Sequence, residues 1–181
     1  GKGAALRQGM AQARGTHSLF TDIDFPYTLT SLLALVDTLE GGTAVAIGIK
    51  DASYYRQLPA FRVRISKFLR WLARTFLRLS VTDTQCGIKG FDARGREVFL
   101  QTTIDRYLAD LEFVFLVDQR RDLDLQAVEV QLREGVEFSQ VNLRVLLTEG
   151  FNFLKVMLRA WIRPQARVAA ARTAGNSSRP L

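Results

Sequence analysis

The chain has 181 residues, of which 48% are apolar and 24% charged, and this balance excludes a disordered or collagen-like protein. A single cysteine, Cys86, and a single histidine, His17, exclude an internal disulfide and a Cys/His zinc site. The formal net charge is +7, but residues 1–141 sum to +1 and residues 142–181 to +6, which indicates a near-neutral body followed by a basic segment.

The predicted elements alternate between helices and strands. Strands separated by helices predict an α/β sheet that helices cover on both faces. The best uncharged run, residues 25–36, contains Pro26 and is shorter than the roughly 20 apolar residues of a membrane span. In chain order, helices are predicted over 4–14, from Thr28 or Thr30 to Leu39, and over 60–79, 93–101, 109–120 and 142–163. Strands are predicted over 17–21, 43–49 and 125–132, and a polar loop over 81–91 leads into a further short strand.

Two acids stand one residue apart where the first predicted strand ends. Carboxylates at the spacing of Asp22 and Asp24 can both reach one hard cation. Mg²⁺ usually takes one or two protein carboxylates and completes its shell with waters and substrate phosphates. The residues alone leave two interpretations open, a metal site and a solvated acidic turn.

The predicted helix over 60–79 is rich in bases. Arg62, Ser66 and Lys67 combine cations with a hydroxyl, which suits a phosphate group. The alternative is a solvated helix face.

A polar segment, residues 82–91, connects this helix to the next strand. Asp83, Gln85 and Lys89 could line a site, and the alternative is a plain connecting loop. A nucleophilic role for Cys86 is disfavoured because no histidine lies near it in the sequence. Farther along, Asp110 and Glu112 lie at the start of a predicted helix. They could belong to a site, and the alternative is that they stabilise the helix through its dipole.

Taken in order, these segments resemble the polyprenyl-phosphate glycosyltransferases of the GT-A fold (family 2), which include dolichyl-phosphate mannose and glucose synthases. The resemblance covers residues 1 to about 135. It is carried by GKGAALRQG at 1–9 before the acidic motif, FTDID at 20–24, AIGIK at 46–50, Arg62-x-x-x-Ser66-Lys67 on the acceptor side, TDTQCGIKGF at 82–91 and YLADLEF at 107–113.

The resemblance implies a GT-A-like, Rossmann-like mixed sheet flanked by helices and the inverting transfer of a hexose. The donor would be a nucleotide sugar of the UDP-glucose or GDP-mannose type, the acceptor a membrane polyprenyl phosphate, and the cofactor Mg²⁺ or Mn²⁺. It also implies residue roles: metal binding by Asp22 and Asp24, catalysis by Asp24 and Arg62, donor binding by Lys2 and Asp22, acceptor-phosphate binding by Lys50, Arg62 and Ser66, and site-loop roles for Asp83, Gln85, Lys89, Asp110 and Glu112.

The sequence departs from the family pattern in three places. Lys50 stands where arginine is usual, and Pro26 stands where relatives can offer a glutamine. The family also has upstream strands that read the nucleobase, so we expect either a fragment or an incomplete base pocket. The predicted organisation is a partial GT-A-like domain over 1–135, an interfacial helix region over 136–163 and a disordered tail over 164–181.

The last predicted helix combines an apolar surface with a narrow polar stripe. A basic amphipathic helix of this kind lies in the membrane interface, so we expect peripheral attachment to an anionic, cytoplasmic membrane surface. The alternative is packing on the body or on a second copy in a homo-oligomer. The stripe consists of Arg144, Thr148, Asn152, Lys155, Arg159 and Arg163.

Two other functions compete with the enzyme. One is a non-catalytic peripheral membrane module that keeps the fold and the lipid-phosphate contacts. The other is nucleic-acid binding, which only the charge suggests and which the near-neutral body and the lack of a recognised motif disfavour. We therefore expect no nucleic-acid partner.

Overall fold

The computed structural model describes residues 1–50, 86–133 and 150–158, together with isolated positions between 64 and 84. The chain divides into two units, residues 1–141 and residues 142–181. The elements of the first unit are α1 (Lys2–Gln12), β1 (His17–Phe20), α2 (Leu29–Glu40), β2 (Val45–Lys50), β3 (Lys89–Asp92), α3 (Ala93–Leu100), α4 (Ala109–Asp118) and β4 (Leu125–Val130).

The four strands form one mixed sheet in the order β1-β3-β2-β4. Strand β3 is antiparallel to both of its neighbours, whereas β2 and β4 run parallel. Because β1 and β2 both oppose β3, they point the same way, and their carboxyl ends meet the start of β3 at one edge of the sheet.

Helix α2 covers one face of this sheet. Thr28 is its N-cap, with a hydroxyl that accepts from the backbone N–H of Ser31 at 3.3 Å. Leu35 and Leu39 are fully buried in the cluster that lines this face. The sequence left Thr28 and Thr30 open as caps, and the structure selects Thr28.

Four phenylalanines form the core on the opposite face. Phe91 of β3 packs on Phe99 of α3 and Phe113 of α4, with ring centroids 5.4 and 5.3 Å away. Phe20 of β1 lies 5.5 Å from Phe99. Helices α3 and α4 are thereby fixed over the strand ends by buried aromatic surface.

The predicted alternation of helices and strands is confirmed, and most boundaries agree within two residues. The predicted helix over 60–79 lies largely outside the described residues, although Arg64, Lys67 and Trp71 have helical backbone and exposed side chains. In the second unit, residues 150–158 are helical. Among the described residues, no helix combines the length and the apolarity needed to cross a bilayer. The domain boundaries at 135 and 163 stay predictions.

Candidate active site

The acidic turn lies at the sheet edge where β1 and β2 end. Phe20, the last residue of β1, pairs with Lys89 at the start of β3, and Ile47 of β2 pairs with the same residue. Asp22, which follows β1, and Lys50, the last residue of β2, therefore lie at the same edge. Ligands of open α/β sheets bind beyond such carboxyl ends.

The turn itself presents the exposed carboxylate of Asp24. The backbone N–H of Phe25 donates to the carbonyl oxygen of Asp22 at 2.9 Å, and Phe25 has a φ of 42°. Arg133 donates to the carbonyl oxygen of Asp24 at 2.8 Å and so fixes the turn from outside. The carboxylate of Asp24 is exposed and has no hydrogen bond or ion pair to any described residue.

The carboxylate of Asp22, in contrast, is already engaged by Lys2. Nζ of Lys2 lies 2.8 Å from Oδ1 of Asp22 and 3.6 Å from Oδ2 of Asp110. Burial lowers the pKa of Lys2, but the charge of Asp110 and the hydrogen bond to Asp22 outweigh burial, so the pKa is raised above its ordinary value. Lys2 is therefore a charged ammonium at neutral pH.

Asp110 also holds a second, deeper lysine. Nζ of Lys89 lies 2.9 Å from Oδ1 of Asp110, donates to the carbonyl oxygen of Cys86 and lies 5.6 Å from the ring centroid of Phe20. The side chain of Lys89 is completely buried. A buried ammonium is tolerated only with such partners, so Lys89 supports the site from within the core instead of facing a ligand.

The loop before β3 backs the acidic turn. A Cβ placed on Gly87 would lie 1.8 Å from Oδ2 of Asp22, so only glycine lets the backbone approach this closely. The N–H of Gly87 donates to the hydroxyl of Tyr27 at 2.8 Å, and the thiol of Cys86 donates to the same oxygen at 3.4 Å. Burial raises the pKa of Cys86 and of Tyr27, so both stay protonated at neutral pH.

Lys50 and Asp83 lie together at the end of β2. The backbone N–H of Lys50 donates to Oδ2 of Asp83 at 3.1 Å, and its Nζ lies 3.9 Å from Oδ1. The pair is mostly buried, with 15% and 12% of the two side chains exposed. Sequence reasoning named both residues but could not pair them.

Glu112 is buried and binds the loop before α4. Its carboxylate accepts from the backbone N–H groups of Thr103 and Ile104, each at 2.8 Å. The same loop anchors α1, because Arg7 donates to the carbonyl oxygen of Ile104 at 2.8 Å and pairs with Asp105. Glu112 thus helps to hold the helix that carries Lys2.

The remaining predicted residues, Arg62, Ser66 and Gln85, lie outside the described residues. Among the residues that are described, no group of three or more His, Cys, Asp or Glu could hold a metal ion. Asp22 and Asp24 nonetheless supply oxygen ligands of the kind that hard divalent cations accept.

The chain is similar in sequence to several known proteins. No family model matches the chain. The chain is 32% identical over 145 residues to a dolichyl-phosphate β-glucosyltransferase of Drosophila melanogaster, covering 74% of the chain and 43% of that protein. A protein of the same name from Saccharomyces cerevisiae is 26% identical over 150 residues, covering 74% and 45%.

The chain is thus similar in sequence to part of the dolichyl-phosphate β-glucosyltransferases. It spans about half the length of the curated relatives it matches. The resemblance noted in the sequence is thereby confirmed.

Solved structures confirm the GT-A fold. Glucosyl-3-phosphoglycerate synthase from Mycobacterium tuberculosis, solved with Mn²⁺, UDP and phosphoglyceric acid, superposes with a TM-score of 0.63 and 17% identity, over 88% of the chain and 54% of that structure. Mannosyl-3-phosphoglycerate synthase from Rubrobacter xylanophilus gives a TM-score of 0.62 and 16% identity, over 92% and 52%.

The helix over 150–158 corrects one expectation. Asn152, predicted on the polar stripe, is buried with Phe153 and Val156. The opposite arc is exposed and mostly apolar, and it consists of Phe151, Leu154, Lys155 and Leu158. The stripe was assigned from residue type alone, whereas Asn152 and Val156 stand four positions apart on one helical face and are buried together.

Proposed function

We propose that the chain transfers glucose from UDP-glucose to dolichyl or another polyprenyl phosphate, with inversion at the anomeric carbon. The observation that carries the proposal is the 32% identity to a dolichyl-phosphate β-glucosyltransferase, which extends over 145 residues. The solved relative bound to Mn²⁺ and UDP supports a nucleotide-sugar donor and a divalent cation, Mn²⁺ at least.

On the donor side, the proposal assigns Asp22 and Asp24 to a divalent cation, Mn²⁺ or Mg²⁺. Two carboxylates, of which Asp24 is unpaired among the described residues, fit a hard cation that takes further oxygens from phosphate and water. Such a cation offsets the negative charge that develops on a departing diphosphate. Lys2, held beside Asp22, contributes a second positive charge to the same diphosphate.

On the acceptor side, the proposal assigns Lys50, Arg62 and Ser66 to the lipid phosphate. A phosphomonoester has its second pKa near 6, so the acceptor is already mostly ionised and needs no strong general base. It does need cations to hold it in line for attack on the sugar. The scarcity of histidine, with His17 alone in the chain, agrees with this chemistry.

A lipid acceptor also requires the protein to bind a membrane, and we assign the membrane-binding surface to residues 150–158. Phe151, Leu154 and Leu158 are 62%, 49% and 50% exposed, and Nζ of Lys155 lies 5.1 Å from the ring centroid of Phe151. An exposed apolar arc with a flanking cation suits the interface of an anionic leaflet. The protein would then act on the cytoplasmic membrane surface.

The decisive experiment is a transfer assay with the full chain, radiolabelled UDP-glucose, Mn²⁺ and dolichyl phosphate. We expect label in the organic phase, less label from GDP-mannose, and loss of transfer in Asp24→Asn. The matched control is Asp37→Asn, which removes one exposed carboxylate from α2 and should keep full activity. Absence of transfer from either donor would leave the non-catalytic membrane module as the better description.

Vesicle flotation tests the membrane assignment separately. Leu154→Gln should weaken binding to phosphatidylserine vesicles, whereas Leu33→Gln, at an exposed position of α2, should not. Equal flotation of both variants and the parent chain would move the membrane contact elsewhere.

A further inference from the structure

Four side chains of alternating charge run from the core to the acidic turn. Lys89 is fully buried, Asp110 follows at 2.9 Å, Lys2 lies 3.6 Å from Asp110, and Asp22 lies 2.8 Å from Lys2. The exposed fraction of these side chains rises outward from 0% and 5% to 24% and 39%. The row therefore connects a rigid buried pair to the carboxylate assigned to the metal.

The carboxylate of Asp22 already has a cation beside it. Oδ1 accepts a hydrogen bond from Lys2, and Oδ2 lies close to the backbone of Gly87. A second cation on this carboxylate would lie near the ammonium of Lys2, and the two positive charges repel each other. Either Lys2 moves or the metal binds weakly.

Helix α1 itself cannot move away easily. Gly3 lies so close to the next loop that a Cβ there would be 2.3 Å from the carbonyl oxygen of Ile104. Arg7 adds an ion pair to Asp105 and a hydrogen bond to Ile104. Any displacement of Lys2 is therefore a movement of its side chain.

We propose that Lys2 is a built-in counter-ion of Asp22, which it releases to a divalent cation by shifting onto Asp110. Asp110 is suited to receive it, because its Oδ1 is fixed by Lys89 while its Oδ2 already faces Lys2 at 3.6 Å. The shifted ammonium stays beside the turn, where it can meet a diphosphate. This inference rests on the proposed function in that Asp22 is a metal ligand, and it adds a positioning role for Asp110.

The test is calorimetric titration of the full chain with Mn²⁺ alone and then with Mn²⁺ and UDP. Lys2→Gln removes the competitor, so Mn²⁺ alone should bind roughly 1.5- to fivefold tighter, the range expected for a partly exposed ion pair. UDP should bind more weakly to the same variant in the presence of Mn²⁺. Unchanged or weaker binding of Mn²⁺ alone would overturn the inference.

Arg7→Gln is the matched control. It removes one cation and one ion pair from the same helix but at Asp105, away from the acidic turn. Its Mn²⁺ affinity should equal that of the parent chain. An equal gain in both variants would assign the effect to net charge or to the seating of α1, against the inference.

The role of Asp110 is tested by non-additivity. Because Asp110→Asn alone leaves buried Lys89 without its carboxylate, the substitution is made in a Lys89→Met background. There it should weaken binding of Mn²⁺ alone several-fold, since Lys2 keeps Asp22 as its only counter-ion. Adding Lys2→Gln should abolish that loss. A loss that persists without Lys2 would show a structural role for Asp110 and contradict the proposed shift.

These titrations contain neither the sugar donor UDP-glucose nor the lipid acceptor. Their outcome is therefore independent of glucose transfer, and the two proposals can fail separately. If Lys2→Gln bound Mn²⁺ more tightly but the parent chain transferred no glucose, the counter-ion role of Lys2 would stand and the proposed transferase activity would be rejected. If the parent chain transferred glucose but Lys2→Gln left the Mn²⁺ affinity unchanged, the transferase activity would stand and the counter-ion role of Lys2 would be rejected.

Discussion

Replacing Gly87 by alanine should damage metal binding far more than folding. The new Cβ would lie 1.8 Å from Oδ2 of Asp22, whereas ordinary contacts begin at 3.4 Å, so one group must retreat by about 1.6 Å. The loop is held by the hydrogen bond from Gly87 to Tyr27 and by the buried side chain of Cys86. We therefore expect the half-exposed carboxylate of Asp22 to move.

The expected loss of folding stability is small, whereas the expected loss of Mn²⁺ affinity is large. Forcing Asp22 off its rotamer costs about 0.5–1.5 kcal/mol, and loss of its partly exposed pair with Lys2 adds up to about 1 kcal/mol. For a chain of this length, that lowers the unfolding temperature by about 1–10 °C. Metal ligands must stay within about 0.2 Å of their positions, so Mn²⁺ affinity should fall at least about tenfold.

Calorimetry measures both quantities on the same protein. Gly9→Ala is the control, because Gly9 lies inside α1 with open space where a Cβ would go. It should raise stability by about 0.5–1 kcal/mol and leave Mn²⁺ binding unchanged. If Gly87→Ala bound Mn²⁺ as tightly as the parent chain, Asp22 would not be the metal ligand that the sequence predicts.

Three further predictions concern the framework of the site. Gly3→Ala should destabilise the fold by about 1–3 kcal/mol, since its Cβ would meet the rigid backbone oxygen of Ile104 at 2.3 Å; a melting curve equal to that of the parent would contradict the seating of α1. Thr28→Ala should cost about 1 kcal/mol in urea unfolding through the lost cap of α2, and Thr28→Ser should restore it. Arg120→Gln should raise the pKa of Asp122 from about 2 toward its ordinary value, because the hydrogen bond from Arg120 is the main cause of the low pKa; a carboxyl that still titrates near pH 2 by NMR would refute this.

The local sequence determined most of the architecture. The apolar runs at β1 and β2, the hydroxyl of Thr28 and the alternation of strands with helices specify elements within two residues of those observed. These signals are local because a strand, a cap or a helical face depends on neighbours only a few positions away. The acidic turn was found for the same reason, since only one residue separates Asp22 from Asp24 in the chain.

The partners of the site residues were decided only by the tertiary structure. Lys2 and Asp110 stand 108 positions apart, and no local pattern reveals that they meet or that Lys89, the other partner of Asp110, is fully buried. The sequence placed Asn152 on a solvent-facing stripe, yet packing buries it. The charge, spacing and type of each residue can be read from the sequence. The ion pairs and the burial of side chains depend on which helices and strands pack together in the core.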